Sequence, residues 1–338
     1  MKVGILSSIM RENTFEEALA YFSSVGYEMI TYGSGGLEHR AEEHCNAELL
    51  LGSPEELRKF AGLLEKYHME TSIIACPSNP VHPQKSVREK MDKDLRDCIL
   101  LAEKLGVDRV STFSGCPGDN PNAVYPNWIS YAWPHEFRHV LKWQWEKVLI
   151  PYWKDLVAFA KAHGVDKIAL EFHPNMCVYN TETLLRLREA VGPELGVCLD
   201  VSHLFWMGMD PVVVIDKLKG CIWSVHGKDT LLQEHKIKEN GVIEAKYFDC
   251  EQDRAWNFTI PGYGHDLQTW KKIVVALRMA GYDRDICFEH EDRLMGLHEG
   301  CEKAYAFLKQ AMQETEEEKC GMRWRKPMNT GINYEYLK

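Results

Sequence analysis

The chain reads as an α/β protein of the (β/α)₈ barrel class, a single domain with long strand-to-helix loops and a C-terminal extension. Three observations predict it. Strand and helix signals alternate from one end of the 338 residues to the other. Four consecutive apolar stretches in the second half each end in metal-capable side chains: ALEFH at Glu171 and His173, CLDVSH at Asp200 and His203, SVHGKD at His226 and Asp229, and CFEHED at Glu289 and Glu291. The competing arrangement, a doubly wound open sheet, normally carries a glycine-rich phosphate turn after its first strand. Here that turn is Ser7-Ser8-Ile9-Met10.

The first strand, KVGILSSIM, is followed by Thr14-Phe15-Glu16-Glu17, a capping box that opens a helix to about Gly26. EMITYGSGG supplies the second strand, and a polar loop with His39 and His44 leads to Ser53-Pro54-Glu55-Glu56. That run is a helix start with proline at the first helical position. TSIIACP is the third strand, closed by the segment Pro77 to Pro83. A helix from about Ser86 to Leu105 then stops at Gly106, and RVSTFSG is the fourth strand. Helical patterning fills about Glu136 to His163, with Pro151 kinking or restarting it. The four stretches named above are the fifth to eighth strands. Helices between them start near Thr181, at Asp210-Pro211 and near Asp266, and a last helix runs from about His298 to Gln313. The barrel is expected over residues 1–313 and the extension over 314–338.

Three segments exceed what a barrel needs. Cys116 to His135 is long for a loop at the strands' C-terminal face. With the helix after it, this region holds Trp128, Trp133, Trp143, Trp145 and Trp153. Thr230 to Gly264 follows the seventh strand and contains a hairpin-like piece at Glu239-Asn240-Gly241. The extension opens with the acidic run Glu314 to Glu318 and carries Trp324, Tyr334 and Tyr336. An acidic run is a solvated segment, and aromatics beyond one suggest docking on a partner or on the barrel.

Composition is ordinary for a globular protein, 45% hydrophobic and 27% charged. The net charge of -10 argues against a nucleic-acid partner, which favours a basic footprint. No run reaches the ~18 apolar residues of a membrane span, and the N-terminus lacks the form of a signal peptide. Eleven scattered cysteines without a CxxC pair read as buried thiols of a reducing cytosol, so a cytoplasmic location is expected.

Side chains two apart on a strand share a face. Glu171 and His173 therefore point the same way, into the barrel mouth if Leu170 faces the helices. Glu171, Asp200, His226 and Glu289 come one from each of four consecutive strands and form a ligand set suited to one divalent ion. Mn²⁺ is the first expectation, with Mg²⁺, Co²⁺ or Zn²⁺ as alternatives. Unpaired, three carboxylates at an apolar mouth would repel one another and hold their protons. Any one of these residues alone reads as readily as a salt-bridge or capping group; four at successive strand ends do not.

ALEFHP, CLDVSHLFW, VHGKD and FEHED resemble the sugar isomerase/epimerase group of xylose isomerase-like TIM barrels, which includes the tagatose-type ketose epimerases and, more distantly, endonuclease IV. The resemblance implies a metal-dependent carbohydrate enzyme with Glu171, Asp200, His226 and Glu289 as ligands, Glu171 and Glu289 as acid/base groups on opposite faces of one carbon, and His203 contacting substrate. It also implies an oligomer. SGCPGD, the Trp-rich loop, WQWEK, EFHP, SHLFWMGMDP and HGKDT further resemble the catalytic subunits of bacterial C-glycoside deglycosidases. That likeness implies a glycoside substrate and leaves room for a smaller second subunit.

The expected chemistry is proton abstraction beside the carbonyl of an oxo-sugar. A leaving group β to that carbonyl, as in a 3-oxo-C-glycoside, would then be eliminated; otherwise reprotonation gives isomerisation or epimerisation of a monosaccharide or inositol derivative. His173 is the candidate base, an imidazole titrating near neutrality; its blander role is to orient a ligand. Lys228 orients His226 or stabilises an enolate, and an ordinary ion pair with Asp229 is the plain alternative. Trp128 and Trp133 offer aromatic faces to sugar or aryl rings, or simply pin their loop. Trp143 and Trp145 are expected against the barrel. His265, in Tyr263-Gly264-His265-Asp266, is offered as a further substrate contact, and His290 should point outward into the helices. A non-catalytic sugar- or partner-binding barrel is the alternative from another class, and the four ligand positions speak against it.

Overall fold

The computed structural model describes residues 1–37, 44–247 and 249–312; the extension at 314–338 and His39 lie outside them. Among the described residues, eight parallel strands close into a barrel: β1 (Lys2–Leu6), β2 (Met29–Gly33), β3 (Glu70–Ala75), β4 (Arg109–Thr112), β5 (Lys167–Glu171), β6 (Leu195–Asp200), β7 (Ile222–Gly227) and β10 (Asp285–Phe288). β10 lies between β7 and β1, which completes the ring. The intervening pair β8 (Asp229–Leu232) and β9 (Trp256–Thr259) is a separate antiparallel ribbon inserted after β7.

Alternate side chains divide between two environments, as the strand period requires. Val3, Ile5, Ile168, Leu170, Val197, Leu199 and Val225 join the main core, together with helix residues such as Leu19, Phe22, Leu95 and Ile99. Ile73, Ala169 and Cys198 form a smaller cluster with Trp223 packed on it. At the N-terminal end the strands carry glycine where neighbouring side chains need the space. A Cβ at Gly196 would run into the Trp223 indole, and one at Gly4 into the Asp285 carboxylate. That carboxylate accepts from Ser72 Oγ at 2.6 Å.

Local signals shape the helices largely as expected. Thr14 and Glu17 make the reciprocal capping box, Ser53 caps the helix Pro54–Lys66 with proline in its first turn, and Asp210 and Asp266 cap theirs. Gly26 (φ 111°) and Gly106 (φ 68°) end their helices in the left-handed conformation that glycine adopts without steric cost. Pro151 stands in the first turn of the helix Ile150–Ala162, where α geometry restarts within the long helical region as expected. The turn before it, Gln144–Leu149, widens to π geometry, and Ile150–Ala162 continues from it. Proline has no N–H to donate and its ring crowds the preceding turn, so a widened turn accommodates it. Gln144, buried in this turn, donates to the carbonyls of Gly118 and Asn127 at 3.0 and 2.8 Å and so pins the long loop after β4.

The insertion after β7 departs from the sequence expectation. Glu239-Asn240-Gly241 is not a hairpin turn: Glu234–Asn240 is a short helix that ends at Gly241 (φ 77°), and the hairpin is the wider β8–β9 pair. Its stem is organised by Asp229, fully buried. The carboxylate accepts from the backbone N–H groups of Thr230, Gly262 and His265, from His265 Nδ1 at 2.7 Å and from Trp270 Nε1 at 3.1 Å. This ties β8, the return loop and the helix Leu267–Met279 to one point. A buried donor stripped of its partner costs about 1–3 kcal/mol. Asp229→Ala should therefore destabilise the protein by about 3 kcal/mol or more in denaturant unfolding; a loss under about 1 kcal/mol would show that the latch is not structural.

Candidate active site

β5, β6, β7 and β10 are sequential neighbours in the barrel wall, with Asp200 directly opposite His226 across β6 and β7. Their C-terminal ends deliver Glu171, Asp200, His226 and Glu289 to one place. His226 Nδ1 lies 3.2 Å from Glu289 Oε1 and 4.0 Å from Glu171 Oε2. His203, one turn beyond Asp200, places Nε2 3.6 Å from both Glu171 Oε1 and Asp200 Oδ2. Glu171, His226 and Glu289 open onto a cavity of about 260 Å³, lined also by His173, His203, Lys228, Phe113, Phe258 and Glu291, with Asp200 buried behind it.

The Lys228 ammonium, 2% exposed, is the positive charge at the centre. It sits 3.0 Å from Asp200 Oδ2, 3.0 Å from Glu289 Oε2 and 2.8 Å from Glu291 Oε1, beneath the Phe258 ring at 4.6 Å. Burial works against its charge, but these carboxylates outweigh burial and hold the ammonium protonated. Asp200 stays ionised for the converse reason: burial raises its pKa, and Lys228, His203 and His226 lower it by more. Glu171 has no such close partner. Burial, reinforced by Glu289 and Asp200, raises it to about 8.

The two remaining imidazoles have their tautomers fixed by neighbours of single polarity. His173 Nδ1 is 2.7 Å from the Pro174 carbonyl, which can only accept, so Nδ1 carries the hydrogen and Nε2 is left as an acceptor. Trp206 Nε1 can only donate, and it donates to His203 Nδ1 at 3.3 Å, so His203 carries its hydrogen on Nε2, toward Glu171 and Asp200. Burial lowers His173 to about 3 and His203 to about 4, which keeps both rings neutral. The rings meet edge to face at 4.7 Å. The cavity thus offers one neutral acceptor, one neutral donor and one ammonium.

The donor set suits a divalent cation. Asp200 Oδ2 and His226 Nδ1 are buried, and their close polar neighbours are the Lys228 ammonium at 3.0 Å and Glu289 Oε1 at 3.2 Å respectively. Among the described residues three groups have ligand atoms within 4.8 Å of one another: Asp200, His226 and Glu289; Glu171, Asp200 and His203; Glu171, Cys198 and His226. The quartet expected from the sequence spans these overlapping trios. Three carboxylates and an imidazole match an oxygen-preferring ion that tolerates one nitrogen.

Other sequence candidates lie elsewhere. Trp128 packs on Tyr179 and lines a different cavity, and Trp133 is 63% exposed. Neither borders the central cavity, and the reason is Gln144, which fastens their loop over the helical region instead. His265 is held by Asp229 and stacked on Phe205 at 3.6 Å, outside the cavity lining. Trp145 is buried and Trp143 half-buried. His290 points away from the mouth, onto Gly300 of the last helix, where a Cβ would strike its ring.

Two participants escaped sequence reading. Phe258 comes from the inserted hairpin, which is seated by the stack of Trp256 on Trp206 (4.5 Å, 8°); the alternating WNFT run in a long insertion was the available signal. Cys198, two residues before Asp200, places its sulfur 3.1 Å from His226 Nε2.

Comparison with known proteins defines the class. The family model described as xylose isomerase-like TIM barrel matches residues 19–311, and the chain belongs to that family. It is 39% identical over 319 residues to the uncharacterized protein YfiH of Bacillus subtilis (strain 168), covering 93% of this chain and all of that one. A shorter match, 31% over 117 residues, joins 34% of this chain to 37% of an inosose dehydratase of Geobacillus thermodenitrificans (strain NG80-2). Among solved structures, the probable 3-DHS dehydratase AsbF from Bacillus anthracis superposes with a TM-score of 0.63 at 17% identity, over 91% of this chain and 99% of that one. At that identity the likeness is one of fold. Among the described residues no helix is long and apolar enough to cross a membrane.

The raised pKa of Glu171 predicts a pH dependence in the metal-free protein. Between its ordinary value of 4.5 and about 8 the folded state binds a proton that the unfolded state has released. Stability should therefore fall as pH rises through this window, by at most about 1.4 kcal/mol per unit from this group. In EDTA, Glu171→Gln should show a flatter stability profile from pH 5 to 8 than the parent; parallel profiles would remove the assignment.

Proposed function

We propose that the protein is a divalent-metal-dependent lyase that enolises an oxo-sugar and eliminates the group β to the carbonyl, most specifically the aglycone of a 3-oxo-C-glycoside. The observation that carries this reading is the meeting of Glu171, Asp200, His226 and Glu289, their ligand atoms close together in overlapping trios, beside a neutral imidazole acceptor and a buried ammonium. The match to an inosose dehydratase over a third of the chain supports elimination as the reaction class, since loss of water beside a ring ketone follows the same path.

Glu171, Asp200, His226 and Glu289 would hold the ion. Bound there, a divalent ion supplies Lewis acidity to the carbonyl oxygen, worth several kcal/mol to a developing enolate. His173 Nε2 takes the proton from C2. A ring held near 3 is a weak base, so the transfer depends on acidifying that carbon, and the Lys228 ammonium is the protein's own contribution to stabilising the oxyanion. The electron pair then reforms the C3 carbonyl as the bond from C1 to the aglycone breaks, and the proton held on His173 passes to the leaving carbon. The products are an unsaturated oxo-sugar and the free aglycone. His203, through Nε2–H, can donate to a substrate oxygen.

Epimerisation of a free ketose is the second reading, favoured by the placement of Glu171 and Glu289 on separate strands either side of His226. NMR in D₂O with Mn²⁺ and an oxidised aryl C-glucoside separates the two: aglycone release is expected, whereas deuterium incorporation without release would establish reprotonation instead. The same assay repeated with a smaller partner subunit asks whether this chain suffices.

Two further outcomes follow. Glu289→Gln should lower bound Mn²⁺ at least tenfold by titration calorimetry and abolish turnover; full activity would end the metal assignment. His173→Ala should keep Mn²⁺ and fold while slowing C2 proton exchange by about 10²–10⁴-fold, the usual contribution of a general base. If it loses the metal, His173 supports a ligand instead.

A further inference from the structure

The His226 ring has a neighbour at each nitrogen. Nδ1 faces the carboxylates, 3.2 Å from Glu289 Oε1 and 4.0 Å from Glu171 Oε2, and Nε2 faces the sulfur of Cys198 at 3.1 Å. Strand register puts the thiol there. Cys198 pairs with Glu171 across β5 and β6, and Asp200, two residues on, pairs with His226 across β6 and β7. Cys198 and Asp200 therefore share a face of β6, with the thiol one step deeper in the barrel. Cys198 is fully buried, in a cluster with Ile73 and Ala169.

We infer that Cys198 is a positioning residue for the ion-binding set: its sulfur accepts the Nε2 hydrogen of His226, which commits the Nδ1 lone pair to the ion and fixes the plane of the ring. The inference rests on the metal reading of the site and is independent of the substrate's identity. An imidazole that ligates through one nitrogen carries its hydrogen on the other, and the partner of that hydrogen sets tautomer and orientation. The usual partner is a carboxylate, a carbonyl or water. A carboxylate at position 198 would add one more negative charge beneath a mouth where Asp200, Glu289 and Glu291 already crowd one ammonium. A thiol gives Nε2 an acceptor without that charge. Sγ and Nδ1 lie at opposite edges of the ring, so an ion held at Nδ1 is out of the sulfur's reach. One strand thus supplies a ligand, Asp200, and two residues earlier the group that aims the ligand of the next strand.

The test compares the parent with Cys198→Val, which fills the space without an acceptor, and Cys198→Ser, which restores one. In ¹⁵N-histidine-labelled protein loaded with diamagnetic Zn²⁺, His226, assigned by its loss in His226→Gln, should be metallated at Nδ1 with its hydrogen on Nε2. Cys198→Val should move the Nε2–H resonance upfield and weaken Zn²⁺ and Mn²⁺ binding about 10–100-fold by calorimetry, the usual effect of removing the partner of a metal-bound histidine. Cys198→Ser should recover most of the affinity. A merely structural thiol would change the unfolding midpoint and leave the Nε2–H resonance where it is. If Cys198→Val does not fold, the comparison of parent and Cys198→Ser decides: the Nε2–H resonance should shift as oxygen replaces sulfur, and identical resonances overturn the inference. Unchanged affinity in Cys198→Val overturns it, as does metallation of His226 at Nε2. So does a thiolate-to-cobalt charge-transfer band on loading with Co²⁺, which would make Cys198 a ligand. The two readings fail separately, since a parent that binds none of these ions overturns the metal reading itself, whereas a parent that binds them as tightly as Cys198→Val overturns the role of Cys198 alone.

Discussion

The chemistry of this protein turns on one ammonium among carboxylates. Asp200, Glu289 and Glu291 all lie within 3.0 Å of Lys228 Nζ; the ammonium, Asp200 and Glu289 are almost entirely out of water, and Glu291 reaches them from the exposed rim. Burying like charges together in a medium of low polarity is prohibitive unless opposite charge is supplied at contact distance. Lys228 supplies it for three of the four acids at the mouth. Glu171 is the one left over, and its raised pKa is the electrostatic signature of a site with one more carboxylate than its cations can hold ionised. A divalent ion held by the proposed ligands would settle the same imbalance, which is the constraint that the proton on Glu171 expresses in the metal-free protein.

Around that centre the protein controls which polar atoms face the cavity. Pro174 and Trp206 are not reactive groups, yet they decide that His173 presents a lone pair and His203 presents a hydrogen. Trp206 also stacks on Trp256, so the hairpin that brings Phe258 over Lys228 and the tautomer of His203 depend on the same indole. At the hairpin's base, Asp229 gathers backbone and side-chain donors from three segments. Asp229 stands next to Lys228 in the chain and does the opposite work: one neutralises acids in the mouth, the other satisfies hydrogen-bond donors behind it.

Much of this was legible in the chain. A strand's period of two placed Glu171 and His173 on one face, and the spacing of apolar runs placed Glu171, Asp200, His226 and Glu289 at successive strand ends, because in a parallel barrel equivalent positions of neighbouring strands lie side by side. The candidates that lie off the central cavity share a cause. Trp128, Trp133 and His265 were singled out by residue type within long loops, and a loop's direction is set by contacts remote in sequence. Gln144 draws the Trp-rich loop aside, and Asp229 with Phe205 holds His265 against the wall. Asn240-Gly241 carried a turn signal that a helix end can use equally well.

What the sequence determined by itself was everything that rests on local periodicity and capping: the alternation of strands and helices, the helix starts at Thr14, Ser53, Asp210 and Asp266, and the identity of the groups at the strand ends. Tertiary structure decided which of those groups meet. The distances among Lys228, Asp200, Glu289 and Glu291, the neutral states of His173 and His203, and the intrusion of Phe258 all depend on burial and on contacts between segments tens of residues apart. Those are properties of the closed barrel, since desolvation and charge proximity have no counterpart in an extended chain.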